Sequence, residues 1–262
     1  MRLRRADPMH PATTVQRFEG RAKAYAAARP GYPEELADHV LRHLSLAAGT
    51  EVADVGSGTG IFTRLLLERG LRVAAVEPAG DMRRTAEGLL GGDPGFVSVN
   101  GDARSTGLPS GSVTAIFCAQ AFHWFNEEAT LHEWRRILRP GGSAVLIWNY
   151  HDESDAFVAD FLKLVRAFGP DAAKTIAAAA AAHHDNALFR GRATETRWFS
   201  HRQPLDFASL LQRVASTSYL PRPSEPQFTA VSAALRALFD QHQVDGSVAM
   251  TYRTVAVWGK LF

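Results

Sequence analysis

The run EVADVGSGTGIFTRLLLER, residues 51 to 69, constrains this chain more than any other stretch. An apolar segment suited to a buried strand passes through Gly56, Gly58 and Gly60 into a helical pattern that Gly70 stops. Strand, glycine loop and helix in that order are how a doubly wound α/β sheet offers backbone amides to a nucleotide-type cofactor. The spacing departs from the dinucleotide fingerprint G-x-G-x-x-G, with Ile61 standing where the third fingerprint glycine belongs. An acid, Asp54, lies two residues before Gly56.

The sequence around this run alternates strand and helix patterns. TVQRFEGRAKAYAAARP reads as a helix ended by Pro30, and a second helix opens at Pro33 with Leu36, Val40, Leu41 and Leu44 on one face. LRVAAVEP, FVSVN, SVTAIFCAQ and SAVLIWNY read as strands. GDMRRTAEGLL and EEATLHEWRRIL read as helices, the latter capped by Asn126, and RPGG reads as a turn. This predicts a Rossmann-like, mostly parallel sheet of about seven strands with helices on both faces.

Beyond residue 150 the pattern changes. SDAFVADFLKLVRAF carries Phe157, Phe161, Leu164, Val165 and Phe168 at helical spacing, and IAAAAAAHH has high helix propensity. ATETRWFSHRQPL alternates like a strand, two helical patterns follow, and SVAMTYRTVAVWGKLF closes the chain as two strand segments or one long one. The expected organisation is N-terminal helices over 1–45 covering the cofactor and a cofactor-binding core over 46–150. A mostly helical insertion or substrate cap then spans 151–245, and an antiparallel strand over 246–262 returns to the sheet.

Composition narrows the partners. The 262 residues are 46% hydrophobic with a formal net charge of +2, so neither a nucleic acid nor a membrane is expected as partner. The start, MRLRRADP, lacks the apolar core of a signal peptide, and no apolar run approaches a membrane span. The single cysteine, Cys118, sits in a strand pattern and reads as an inert core thiol. A cytoplasmic protein is the expectation. No metal is expected: His183-His184 and His151-Asp152-Glu153 lack ligand spacing and read as solvated loop or helix end.

In a doubly wound sheet the ligand lies at the carboxyl ends of the strands. Glu77-Pro78 stands there after the second strand, where an acid accepts from ribose hydroxyls, and Asp102 after the third is placed to accept from an adenine amino group. Glu77 alone is compatible with a nicotinamide cofactor. Asp54 so near the phosphate seat repels a pyrophosphate and suits a cofactor with a cationic amino group, such as S-adenosylmethionine.

With EVADVGSGTG, VAAVEP, NGDA, AFHWF and ILRPGG in order across residues 51–149, the sequence resembles the class I S-adenosylmethionine-dependent methyltransferases. RAKAYAAARPGYP, AQAFHWFN and TYRTVAVWGK resemble the small-molecule branch that includes trans-aconitate methyltransferase-like proteins. The resemblance implies that Asp54, Gly56, Ser57 and Gly58 hold the methionine end. Glu77 and Pro78 meet the ribose, Met82 packs near the adenine, and Asp102 and Ala103 read its edge. Ala119, Gln120 and Ala121 line the methionyl chain, with alanine at 119 where family members often carry Asn or Ser. Tyr25 and Arg29 match the family's N-terminal helix and are candidates for the cofactor carboxylate or the substrate.

His123 is the candidate general base, with a pKa expected near neutral. Trp124, Trp148 and Tyr219 join Arg29 and His123 as substrate candidates, although Trp148, Trp198, Tyr219 and the phenylalanine stripe also read as core. The implied reaction is in-line methyl transfer to a small molecule, at an oxygen of a carboxylate or hydroxyl, yielding S-adenosylhomocysteine. The rivals are a nucleic-acid or protein methyltransferase, a nicotinamide-dependent oxidoreductase on a similar fold, and a cofactor-binding protein without catalysis.

Overall fold

The computed structural model describes residues 29–125, 127–169, 187–217 and 220–262. The predicted first helix, the Asn126 cap, the alanine-rich stretch with His183-His184, Tyr25 and Tyr219 lie outside them. Helix α1 (Glu34–His43) leads into strand β1 (Glu51–Val55), helix α2 (Ile61–Leu67), β2 (Arg72–Val76), α3 (Gly80–Leu90), β3 (Phe96–Val99) and β4 (Val113–Ala119). A 3-10 turn (Phe122–Trp124), α4 (Glu127–Ile137), β5 (Leu138–His151) and α5 (Ala156–Phe168) follow. The chain then runs through a second 3-10 turn (Ala187–Phe189), β6 (Thr194–Leu205), α6 (Phe207–Ala215), α7 (Gln227–His242) and β7 (Val248–Lys260).

The seven strands form one sheet in the order β3-β2-β1-β4-β5-β7-β6. The pairs among β1 to β5 are parallel, and β7 runs antiparallel to both β5 and β6. The strand order reverses at β1, so the loops after β1 and β4 meet above the crevice where such sheets bind ligands. The closing segment is one continuous strand. The strand predicted at 193–205 lies on the edge of this same sheet, so 151–245 contributes both helices and a sheet strand. β6, which carries Pro204, is an edge strand, where proline is tolerated.

Both sheet faces are covered, which is why the central strands are apolar without a polar face. Along β5, Ala144, Leu146 and Trp148 pack with Trp134 and Ile137 of α4, while Val145 and Ile147 pack with α1 and α2 on the opposite face. On the α1 and α2 side, a third cluster from α5, α6 and α7 packs against Val248, Met250 and Tyr252 of β7 and Leu205 of β6. Buried Leu36, Val40 and Leu41 match the predicted stripe of α1, which begins one residue after Pro33. RPGG is not a turn ahead of a strand. Leu138 already pairs with Val113, and the register then jumps to Ala115 with Ser143, so residues 139–142 bulge within β5. Cys118 is buried, and burial pushes its thiol well above the usual range.

Candidate functional site

The glycine loop turns sharply at the end of β1. Gly56 has φ +76°, and a Cβ there would stand 2.5 Å from the Ala121 Cβ, so the loops after β1 and β4 touch through a missing side chain. Gly58 has φ +58°, and a Cβ there would meet no atom within 4 Å. The loop is anchored from below by the Gly56 and Ser57 amides, which donate to the Val76 carbonyl at 2.9 and 3.2 Å.

Two acids lie under this loop. Asp54 is 1% exposed; its Oδ2 accepts from Thr63 Oγ1 at 2.6 Å, and its Oδ1 is buried with no hydrogen-bond partner among the described residues. Burial pushes its carboxyl up to about 7, and the nearby Glu77 charge adds to the rise against the Thr63 hydrogen bond. Glu77 is 9% exposed; Oε2 accepts from the Gly58 amide at 3.0 Å and Oε1 from the Ala79 amide at 2.8 Å. Burial raises its pKa, opposed by those two amides and by Arg83. A buried carboxylate oxygen without a donor among the described residues, under this loop, fits a cationic amino group, and Glu77 retains lone pairs for hydroxyl donors. A pyrophosphate does not fit above two buried acids.

Met82 and Ala103 are buried at 3% and 2% exposure, Pro78 is exposed, and Ala119 and Ala121 flank Gln120 at the end of β4. Asp102 is engaged within its own loop. Its Oδ1 accepts from the Arg104 and Ser105 amides, and its Oδ2 pairs with the Arg104 guanidinium at 2.9 Å. Partial burial pushes its pKa up, but these bonds bring it below the usual carboxylate range. An adenine amino group would share this carboxylate with Arg104.

Gln120 holds φ +56°, a left-handed conformation unusual for a non-glycine residue and concentrated at functional sites. Its amide donates to the Ile147 carbonyl at 2.8 Å and its side-chain Nε2 to the Asn149 carbonyl at 2.9 Å. Asn149, which the sequence reading passed over, is a junction. Its Nδ2 donates to the Gly31 carbonyl at 3.0 Å and its Oδ1 accepts from Thr254 Oγ1 at 2.6 Å. It ties the N-terminal segment, the loop after β4 and β7 together. Only the pairing of distant strands could have revealed it.

Three expectations change. His123 is not a base poised near neutrality, because burial lowers its pKa to about 4. Its Nδ1 is buried with no partner among the described residues, and its ring lies 4.7 Å from that of Trp124. Trp148 is 1% exposed and belongs to the core between sheet and α4, so it presents no open face to a substrate. His151 is not in a solvated loop: it ends β5, and burial lowers its pKa to about 3, with Arg213 and Arg29 adding to the effect. Arg29 is partly buried and close enough for its charge to reach His151.

Among the described residues no helix is long and apolar enough to cross a membrane. A family model described as a methyltransferase domain matches residues 53–146. An uncharacterized methyltransferase of Mycobacterium tuberculosis is 38% identical over 148 residues, 56% of this chain and 58% of that protein. The chain thus spans little more than half the length of this relative. An uncharacterized methyltransferase of Geobacillus kaustophilus is 31% identical over 149 residues, 53% of this chain and 68% of that protein. The solved structure of a type II methyltransferase candidate from Anaeromyxobacter dehalogenans shares the fold, with TM-score 0.64 at 23% identity, covering 89% of this chain and 98% of that one. The acid-lined glycine loop at the strand-order reversal and these relatives agree: the chain belongs to the class I S-adenosylmethionine-dependent methyltransferases.

Proposed function

We propose that this chain methylates an oxygen of a small molecule, a carboxylate in preference to a hydroxyl, in the cytoplasm. When bound, S-adenosylmethionine supplies a methyl group already activated by its sulfonium. Asp54 would face the amino group and Glu77 the ribose hydroxyls, with the Ala103 amide and Asp102 at the adenine and Gly56 to Gly58 along the methionine end. Ala119, Gln120 and Ala121 would shape the floor at the transferring carbon. What the protein then contributes is alignment and exclusion of water around the reacting pair.

The observation that carries the choice of acceptor is the state of His123. An imidazole with a pKa near 4 is neutral at pH 7 and is a weak base for a phenol or an amine. A carboxylate arrives ionised and needs no base, leaving His123 and Trp124 to orient it. The small-molecule branch with trans-aconitate methyltransferase-like proteins, suggested by AQAFHWFN, agrees with an acidic acceptor. The test is release of S-adenosylhomocysteine from the purified protein across a panel of small carboxylic acids, phenols and amines. Turnover is expected with a carboxylic acid, and His123→Gln should retain activity within about tenfold, since a true general base contributes roughly 10²–10⁴. Turnover confined to phenols or amines, lost in His123→Gln, overturns the reading.

A further inference from the structure

Asp54 has to carry a charge where little in the fold supports one. Its neighbours in register are Ala75 of β2 and Phe117 of β4, and the charge that bears on it among the described residues is another acid, Glu77. Arg83 of α3 donates to the Glu77 carbonyl at 2.9 Å and to Asn100 Oδ1 at 3.1 Å, and its charge favours the ionised form of Glu77. Cys118 of β4 is a buried thiol whose own ionisation the Asp54 charge opposes. Support for an Asp54 carboxylate comes instead from α2, through Thr63.

Thr63 is 0% exposed, in a helix whose other buried residues are Phe62, Leu65, Leu66 and Leu67. Its Oγ1 meets Asp54 Oδ2 at 2.6 Å, and its backbone amide also favours the ionised form. That separation lies within the roughly 2.5–2.7 Å of a hydroxyl bound to a charged oxygen. With Oδ2 held, Oδ1 is the atom left over, buried and without a hydrogen-bond partner among the described residues. The amide can only donate, so it serves the carboxylate alone. A hydroxyl is one donor and two acceptor lone pairs, with a hydrogen that turns about the C–O bond. It can donate to the carboxylate and equally accept from the acid when Oδ2 carries the proton.

We infer that Thr63 is a positioning residue for the cofactor: its hydroxyl follows the protonation of Asp54, turning from acceptor to donor, and so sets the pH at which the cofactor's amino group is captured. The inference rests on the reading that Asp54 faces that group. In the cofactor-free fold the protonated acid pairs with the hydroxyl as acceptor. An ammonium group arriving at Oδ1 requires the carboxylate, the Asp54 proton passes to water, and the hydroxyl turns in place to donate. No heavy atom has to move. Without the hydroxyl the carboxylate loses a charge-assisted bond whereas the acid loses only a neutral one, so ionisation is postponed to higher pH.

Calorimetry with S-adenosylhomocysteine from about pH 5.5 to 8.5 compares wild type with Thr63→Val and Thr63→Ser, and comparison at each pH cancels the ligand's own titration. In Thr63→Val the rise of affinity with pH should be displaced upward by about one unit, so that binding is about tenfold weaker near pH 6 and recovers toward wild type near 8.5. Thr63→Ser keeps the hydroxyl and should hold the wild-type midpoint within about 0.3 unit. With Asp54→Asn in place, Thr63→Val should change affinity by the same factor at every pH. Melting without ligand is the second readout: the loss of stability with rising pH, which ends near 7 in wild type, should extend to about 8 in Thr63→Val. Thr63→Ala takes its place if Thr63→Val does not fold. A folded Thr63→Val with the wild-type midpoint, or Thr63→Ser displaced as far as Thr63→Val, overturns the inference and leaves the methyltransferase reading intact. A displaced melting profile in a chain whose wild type does not bind S-adenosylhomocysteine overturns that reading and leaves Thr63 as the residue that sets Asp54.

Discussion

At the scale of single residues, Asp54 carries the heaviest demand. Its folded-state pKa of about 7 lies above the 3.8 of an unperturbed aspartate, so the cofactor-free fold favours the protonated acid. That contribution to stability is fully present below pH 3.8 and is lost as pH rises through about 7. Asp54→Asn cannot ionise, so at about pH 8 it should unfold at a higher temperature than wild type, by the equivalent of roughly 2–4 kcal/mol. Ligand binding has the opposite sign. A cationic amino group requires the ionised carboxylate, so affinity for S-adenosylhomocysteine should rise with pH and level off above 7, by up to about tenfold per unit below it. Calorimetry from about pH 5.5 to 8 measures this, and protons should be released on binding at the acid end. Asp54→Asn should weaken binding roughly 10–100-fold, the range for loss of a charged hydrogen bond. A flat pH profile, or a more stable variant that binds normally, would take Asp54 out of the site.

Among the elements, α4 shows how a helix fixes the loop after β3, which carries the proposed adenine contacts. Glu133 accepts from the Thr106 amide at 2.8 Å and the Thr106 hydroxyl at 2.6 Å, and Arg136 clamps it with Nε at 2.7 Å and Nη2 at 2.8 Å. Arg136 Nη2 also donates to the Leu108 carbonyl, so this pair pins the loop that carries Asp102 and Ala103. The Arg136 bond, against burial and aided by Thr106, holds the Glu133 pKa at about 2. Its contribution is complete above the 4.5 of an unperturbed glutamate and is lost as pH falls through about 2. Glu133→Gln should lower urea stability at pH 7 by on the order of 2 kcal/mol, and the gap should shrink by roughly half at about pH 3. An equal gap at both pH values would show that the charge is not what holds the loop. This bond spans 27 residues and left no local mark in the sequence, unlike the strand ends. Apolar runs closed by Asp54, Glu77 and Asp102 were legible because a buried parallel strand and its loop are local features. RPGG was misread because a register jump depends on the neighbouring strand, and His151 because its cover comes from helices elsewhere in the chain.

Across the whole molecule, the sheet is packed by separate cores. The glycine loop and Glu77 lie between two clusters, with Val55, Val76 and Ala121 in the one on the α4 side and Phe62 and Leu66 in the one with α1 and α2, whereas Tyr252, in a row with His151 and His201, belongs to the cluster of α5, α6 and α7. Sequence periodicity identified both sets of apolar residues, including Phe157, Phe161 and Val165. It could not show that β5, β7 and β6 align three aromatic side chains drawn from positions 151, 252 and 201. That alignment follows from reversing one strand, β7, and inserting it between two others. Two substitutions separate the cores. Leu66 in α2 and Leu210 in α6 are both 0% exposed, so Leu66→Ala and Leu210→Ala should each cost about 2–5 kcal/mol in denaturant unfolding. Their effects on ligands should differ. Leu66→Ala, in the helix that follows the glycine loop, should weaken S-adenosylhomocysteine binding. Leu210→Ala, in the cluster of α5, α6 and α7, should leave S-adenosylhomocysteine affinity within about twofold because sites on separate cores act nearly independently. An equal loss of S-adenosylhomocysteine affinity in both folded variants would mean that the two cores do not act independently on the cofactor site.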